Sequence, residues 1–426
     1  MHTLVDPLKR ALQIRPQGLA LIDGDREVTY EELAHRCSLL VGALRHLGAE
    51  SGSRVAILAH NGFQSFEAYL GIPAGGMVVV PLNTRHAMPE LVYALKDSGA
   101  NILITDRADL GELADVVEHV ISLSDRYEMM LAEAEPALLG EGLAETDLAG
   151  LFYTGGTTGA SKGVMLTHRN LIANALNWLA SVPQTENDRT LVMAPMFHAA
   201  GSNGILAAIW QGSLQVPLGT FDPAAVLDLI EKHRINITLG VPSMLAAMAE
   251  EQHANPRDTS SLQVLTHGGS PIATEVIRRA SSAFPSAQMI EVYGATETSP
   301  LATLLGHEET LMDNVLARSC GRAVVGCNIT VRDADGNELP KGEVCEVVVS
   351  GTNIMKGYWK KPEATAEVMT DDGGFRTGDL GRLDDGFIRI TGRVKEQFKL
   401  ENGKYVAPSP LEESLMLRAL GRLYTA

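Results

Sequence analysis

The sequence predicts an α/β protein: two βαβ-type subdomains with helix-covered sheets, then a small antiparallel, β-barrel-like subdomain and a short C-terminal piece. Three observations predict it. Short β-branched runs alternate with longer amphipathic stretches, a rhythm that needs a parallel sheet covered by helices. The rhythm occurs twice, between Arg54 and Thr105 and again between Thr190 and His267. After about Cys320 it gives way to short strands split by Asp/Asn/Gly turns, the pattern of antiparallel pairing.

In chain order, Arg54–Leu58 reads as a strand, Phe63–Gly71 as a helix, Val78–Pro81 as a strand, Pro89–Ser98 as a helix and Ile102–Thr105 as a strand. The second unit starts with the strand Thr190–Ala194 and a Gly/Ala-rich helix through Trp210. Then come the strand Leu214–Val216, the helix Ala224–His233, the strand Ile237–Gly240, the helix Ser243–Glu251 and the strand Val264–His267. Ile329–Arg332, Glu343–Ser350 and Phe387–Thr391 are the short strands of the third region. Beyond it, Glu401-Asn-Gly-Lys404 signals a hairpin and Pro408–Arg422 one helix. The roughly 35 residues from Gly392 cannot bury a core of their own.

Composition narrows the function classes. The 426 residues exceed one simple core, and 45% hydrophobic with 20% charged residues describes a globular chain. The 35 basic and 52 acidic residues leave a net charge of −17, which argues against nucleic acid or an anionic membrane as partner. A phosphate site is not excluded, because it needs only local donors. Cys37, Cys320, Cys327 and Cys345 are scattered without a CxxC pair, so a reduced compartment is expected and structural zinc is not. Met1–Pro16 carries no apolar signal core, and the weakly polar stretch Ala68–Leu82 is too short to span a bilayer. The expectation is a soluble, cytoplasmic protein without a transmembrane segment, with a homodimer left open.

One segment carries chemistry on its face. Leu151-Phe-Tyr-Thr154-Gly155-Gly156-Thr157-Thr158-Gly159-Ala160-Ser161-Lys162-Gly163 joins an apolar run to glycines, small hydroxyl residues and a lysine. Glycines let backbone N–H groups approach a polyphosphate, hydroxyls add donors, and Lys162 adds a mobile charge. The order differs from a Walker loop. A flexible linker is the competing reading of such a cluster. A dinucleotide-binding fold is disfavoured, since no GxGxxG opens a helix with an acidic partner downstream.

With this loop the chain resembles the adenylate-forming (AMP-binding) superfamily, which includes acyl-CoA synthetases, peptide-synthetase adenylation domains and luciferases. The other motifs of the resemblance follow in order. They are Thr29-Tyr-Glu-Glu-Leu33, Val80-Pro-Leu-Asn83, Pro195-Met-Phe-His198, Gly268-Gly-Ser-Pro271, Val292-Tyr-Gly-Ala-Thr-Glu297, Gly357-Tyr-Trp359, Arg376-Thr-Gly-Asp379 and Gly392-Arg393. The resemblance implies a nucleotide site. Thr154, Gly155, Gly156, Thr157, Thr158, Gly159 and Lys162 would hold phosphate, and Tyr293 would stack on adenine within the run Glu291, Val292, Tyr293, Gly294. Thr296 would bond the α-phosphate and Glu297 would bind Mg²⁺, which prefers carboxylate and phosphate oxygen. Asp379, read as following a short turn, and Arg393 would hold the ribose. Gly268, Gly269, Ser270 and Pro271 would form the wall between the adenine and acyl pockets. His198 would position the carboxylate and phosphate, Lys395 would be a hinge, and Lys399 would contact nucleotide or thiol.

What the resemblance implies is ATP-dependent activation of a carboxylic acid, most simply a fatty acid, through acyl-AMP and transfer to CoA. The alternatives are delivery of the acyl group to a carrier protein, or a nucleotide-binding remnant with little turnover. It also implies a large domain over 1–391, then a hinge and a stub of a C-terminal α+β domain over 392–426. In the family that domain runs on for about a hundred residues, a usual domain size, to a lysine-bearing segment absent here. The expectation from that absence is weak turnover by this chain. Acyl length is not fixed.

Overall fold

The structure, a computed structural model, describes residues 3–156, 159–182, 184–311, 319–396, 398–399 and 405–406. Two large sheets organise the described residues. The smaller contains the first predicted unit: Arg54–Leu58, Val78–Pro81 and Ile102–Thr105 are strands as expected, paired in parallel. Every residue of Val78–Pro81 and Ile102–Thr105 is buried, the pattern of strands covered on both faces. The larger sheet carries the second unit in the spatial order Gln288–Tyr293, Val264–Gly268, Ile237–Gly240, Arg189–Val192, Leu214–Pro217, all parallel. The strand expected over Thr190–Ala194 stops at Val192. The carbonyl of Ala194 accepts from Asn61 Nδ2 at 3.0 Å instead of continuing the ladder.

The predicted antiparallel region is hydrogen-bonded onto one end of this sheet. Arg322–Ala323, Phe387–Arg393, Phe375–Asp384, Cys345–Gly351 and Cys327–Arg332 extend it edge to edge. At the far end, Leu19–Asp23 and Arg26–Thr29, not anticipated from the sequence pattern, complete it. Thr29, in the first motif of the resemblance, caps the helix Tyr30–His46 by accepting from Glu32 N–H at 3.1 Å. Phe398–Lys399 pairs antiparallel with Tyr405–Val406. The hairpin residues between them and the helix expected over Pro408–Arg422 lie outside the described residues. Among the described residues no helix is long and apolar enough to cross a membrane. None of the four cysteines is in a disulfide.

Buried asparagines tie the two sheets together. Asn170, in the helix His168–Ser181, shares a capping box with Thr167 and donates from Nδ2 to the carbonyls of Thr352 and Ile354, both at 2.8 Å. One turn on, Asn174 Nδ2 reaches the carbonyls of Thr298 and Leu301 at 2.9 and 3.2 Å. Asn353, fully buried, donates to the same two carbonyls at 2.7 and 3.0 Å. Irregular backbone is thus satisfied inside the protein, where an unpaired carbonyl is costly. Replacing Asn170→Ala removes the side-chain half of the capping box and leaves the Ile354 carbonyl, buried, and the Thr352 carbonyl, partly buried, without a donor. Urea unfolding is expected to show a loss of about 2–4 kcal/mol, and a loss below 0.5 kcal/mol, the usual surface value, would contradict this role.

Candidate active site

Four parallel strands of the larger sheet end side by side, and their following loops carry the predicted residues. Gln288–Tyr293 leads into Thr296 and Glu297, and Val264–Gly268 into Gly269, Ser270 and Pro271. Ile237–Gly240 leads into Val241, and Arg189–Val192 into the Pro195–His198 loop. In open α/β sheets the crevice at the carboxyl ends of the strands is where ligands bind. Gly294 is required there by close approach: a Cβ on it would stand 1.8 Å from the Pro300 carbonyl oxygen. Asn61 fixes the neighbouring loop, donating to the Val192 and Ala194 carbonyls and accepting from Met196 N–H at 2.9 Å.

The structure joins three predicted residues directly. The Tyr293 hydroxyl donates to Asp379 Oδ2 at 2.7 Å, and Arg393 Nε donates to Asp379 Oδ1 at 2.7 Å. Asp379 is not in a turn, as its Thr-Gly-Asp context suggested. It lies within the strand Phe375–Asp384, directly opposite Arg393 in the ladder. Gly378, at φ 73°, supplies the left-handed kink where pairing with Cys345–Gly351 shifts register. That kink leaves the Asp379 carboxylate against Tyr293. Burial first, then the Asp379 charge, pushes the Tyr293 phenol well up, so it remains a donor.

The glycine-rich segment also differs from its sequence reading. It is the tip of an antiparallel hairpin between Leu148–Gly156 and Gly159–Thr167, with Thr154 opposite Lys162 and Gly156 opposite Gly159. Thr157 and Thr158 lie outside the described residues. The hairpin is anchored by the Tyr153 hydroxyl, which donates to Asp97 Oδ2 at 2.6 Å. Gly357–Tyr358 pairs with its second strand. Lys162 Nζ then lies 4.6 Å from the centre of the Tyr358 ring, while the Tyr358 hydroxyl donates to Glu297 Oε1 at 2.7 Å. Met355 N–H donates to the Glu297 carbonyl at 2.9 Å. One segment thereby links the phosphate-loop lysine to the predicted metal carboxylate.

Tyr358 belongs to the Gly357-Tyr-Trp359 motif, but the sequence does not reveal its double contact; an aromatic between a lysine and a glutamate far apart in sequence gives no local signal. Asn61, Asn170, Asn174 and Asn353 were missed for the same reason. His198 precedes the helix Ala199–Gln211, its ring 4.6 Å from that of Phe197 and tilted 54° to it. Partial desolvation, then the positive Arg85 and His86, lowers its pKa, which favours the neutral ring. Ser270 and Pro271 are exposed. Lys395 is exposed in the single turn Val394–Glu396, and the side chain of Lys399 lies outside the described residues.

These loops meet in a chain that belongs to the AMP-binding enzyme family, whose model matches residues 8–359. Feruloyl-CoA synthase of an Amycolatopsis species is 35% identical over 414 residues, covering 96% of this chain and 82% of that protein. Long-chain-fatty-acid–CoA ligase FadD13 of Mycobacterium tuberculosis is 31% identical over 427 residues, covering 96% and 82%. The crystal structure of ATP-bound MatB from Rhodopseudomonas palustris superposes with a TM-score of 0.87 at 29% identity, covering 96% of this chain and 82% of that one.

Glu291 stands beside His267 in the ladder. Burial pushes its carboxyl up to about 7 and holds the His267 imidazole down at about 4. The unfolded carboxyl ionises above about 4.3, while the folded one keeps its proton until about 7. Glu291 therefore costs stability as pH rises through that window, and Glu291→Gln abolishes this cost. The stability of Glu291→Gln relative to wild type should rise by roughly 3 kcal/mol between pH 4.5 and 8. A difference independent of pH would show the carboxyl to be solvated.

Proposed function

We propose that the protein is an acid–CoA ligase that uses ATP to activate a carboxylic acid as acyl-AMP and then transfers the acyl group to CoA. The observation that carries the proposal is the hydrogen-bonded trio Tyr293–Asp379–Arg393 at the carboxyl edge of the parallel strands. An aromatic ring, a carboxylate and a guanidinium held together there suit a nucleoside: the ring for the base, Asp379 for vicinal ribose hydroxyls. Family membership and the ligase relatives support the same reading.

In the first step a carboxylate oxygen attacks the α-phosphorus, the bond to the bridging oxygen of the β-phosphate breaks, and pyrophosphate leaves. In the second, the CoA thiolate adds to the acyl carbonyl and AMP departs with its oxygen. Two anions must be oriented in line and their charge offset, which preorganised donors do best. Lys162, the hairpin backbone and the Thr296 hydroxyl take the phosphate side. His198, kept neutral, orients the carboxylate. Gly269, Ser270 and Pro271 separate base from acyl group, next to Glu291, Val292 and Gly294.

Glu297 is the residue that would hold Mg²⁺. Its Oε1 is fixed by Tyr358, and no cluster of three or more metal-binding side chains occurs among the described residues. One carboxylate fits an ion that is bound mainly by substrate phosphates and water, and not a protein-only cage. When bound, the ion would neutralise phosphate charge. The division into a large unit over 1–391 and a hinge region from 392 belongs to the same proposal. The strand Phe387–Arg393, the last of the larger sheet in chain order, ends two residues past that boundary and two before Lys395. A soluble, cytoplasmic setting accords with the reading.

Acid-dependent exchange of labelled pyrophosphate into ATP tests the proposal. Exchange above the acid-free blank, slow in keeping with the weak turnover expected of this chain, is expected with at least one member of an aliphatic and aromatic acid panel. Lys162→Ala should lower it by about 10²–10³. No exchange with any acid would refute the ligase reading.

A further inference from the structure

In the glycine-rich hairpin, Tyr153 stands opposite Gly163, on the rung next to Thr154 and Lys162. Both members of that rung lead to one residue, Asp97, in the last turn of the helix Met88–Ser98. The Tyr153 hydroxyl donates to Asp97 Oδ2 at 2.6 Å. Gly163 is reached through Trp359, whose N–H donates to the Gly163 carbonyl at 2.8 Å. The Trp359 indole Nε1 then donates to the Asp97 carbonyl at 3.0 Å. These contacts close a ring, Asp97–Tyr153–Gly163–Trp359, around the base of the phosphate tip. A Cβ on Gly163 would stand 2.9 Å from Leu151 Cδ1 and 3.2 Å from Tyr153 Cζ, so glycine makes room for the ring that reaches Asp97. Burial first, then the bond to Asp97 and its charge, pushes the Tyr153 phenol well up, so it stays a donor.

Asp97 is suited to this by its place in the helix. The last carbonyls of a helix lack intrahelical partners and attract cations. Arg54 takes the Ser98 and Gly99 carbonyls at 2.9 and 3.1 Å. Lys360 Nζ joins Trp359 on the Asp97 carbonyl at 2.8 Å, from a left-handed backbone at φ 54° that a non-glycine residue rarely adopts. The hairpin needs such an anchor. Past Gly150 and Val164 its two strands have no ladder partner but each other among the described residues, and a lone two-stranded hairpin is marginal in water. The trio Tyr293–Asp379–Arg393, by contrast, belongs to the larger sheet and takes no part in these contacts.

Resting on the ligase reading, we propose that Asp97 is a positioning residue for the phosphate hairpin. It sets how the strands carrying Thr154 and Lys162 are held, and so the grip on the β- and γ-phosphates of the nucleotide, without touching the nucleotide. Loss of its carboxylate frees Tyr153 while Trp359 still holds the facing strand. Ordering the tip on binding then costs affinity for the polyphosphate and none for the nucleoside.

Calorimetric titration of ATP with Mg²⁺, and of AMP, into wild type, Asp97→Ala, Asp97→Asn and Tyr153→Phe tests this. In Asp97→Ala and Tyr153→Phe, ATP affinity should fall by about tenfold, the scale of one hydrogen bond, with AMP affinity unchanged. Asp97→Asn keeps an acceptor for the Tyr153 hydroxyl and should bind ATP nearly as wild type does. Equal losses for ATP and AMP would show a structural role alone and overturn the inference. So would ATP affinity unchanged in both Asp97→Ala and Tyr153→Phe, or a loss in Asp97→Asn as large as in Asp97→Ala. Each of these leaves the ligase reading standing, since pyrophosphate exchange by wild type tests that reading separately. Wild type that binds neither nucleotide overturns both.

Discussion

The geometry of the candidate site depends on how two irregular segments, 298–301 and 352–355, are held without regular secondary structure. Both are largely buried, and the carbonyls of Thr298, Leu301, Thr352 and Ile354 are paired by three asparagine amides from Asn170, Asn174 and Asn353. The first segment follows Glu297 out of the larger sheet. The second leads into Gly357–Tyr358, which joins the smaller sheet beside the glycine-rich hairpin. Satisfying these carbonyls with asparagine side chains, two of them from the helix His168–Ser181, accompanies an arrangement in which the Glu297 carboxylate meets the hydroxyl, and the Lys162 ammonium the ring face, of one tyrosine, Tyr358. A buried network of this sort specifies one arrangement because every alternative leaves polar groups unpaired.

Charge is handled locally. A chain with net charge −17 is a poor general attractor of anions. The candidate site instead offers Lys162 on the hairpin of the smaller sheet and Arg393 in a strand of the larger one. Lys162 rests over the face of the Tyr358 ring, an arrangement that favours a cation. Arg393 is held by Asp379, which is itself held by Tyr293. Each charged group is thus oriented before a ligand arrives, which is the condition for electrostatic stabilisation without reorganisation.

Much of this was legible in the sequence. Fully buried parallel strands such as Val78–Pro81 announce themselves as short β-branched runs, and the motifs around Lys162, Tyr293, Glu297 and Asp379 stand out by composition. Three things were not legible. Gly378 and Asp379 look like a turn, because Thr-Gly-Asp has turn chemistry; the ladder opposite Arg393 overrides it. The phosphate segment looks like an open loop, yet its residues pair almost to the tip. Asn61, Asn170 and Asn174 act through partners more than a hundred and twenty positions away, and Asn353 and Tyr358 through partners more than fifty away, separations that no local pattern encodes.

The central claim is that Tyr293, Asp379 and Arg393 form one nucleoside-binding unit. Calorimetric titration of AMP into wild type and Asp379→Ala tests it most directly. Hydrogen bonds to a charged group contribute about 1.5–3 kcal/mol, so Asp379→Ala should weaken AMP binding by about 10–100-fold. AMP affinity equal to wild type in a folded Asp379→Ala protein would contradict the account.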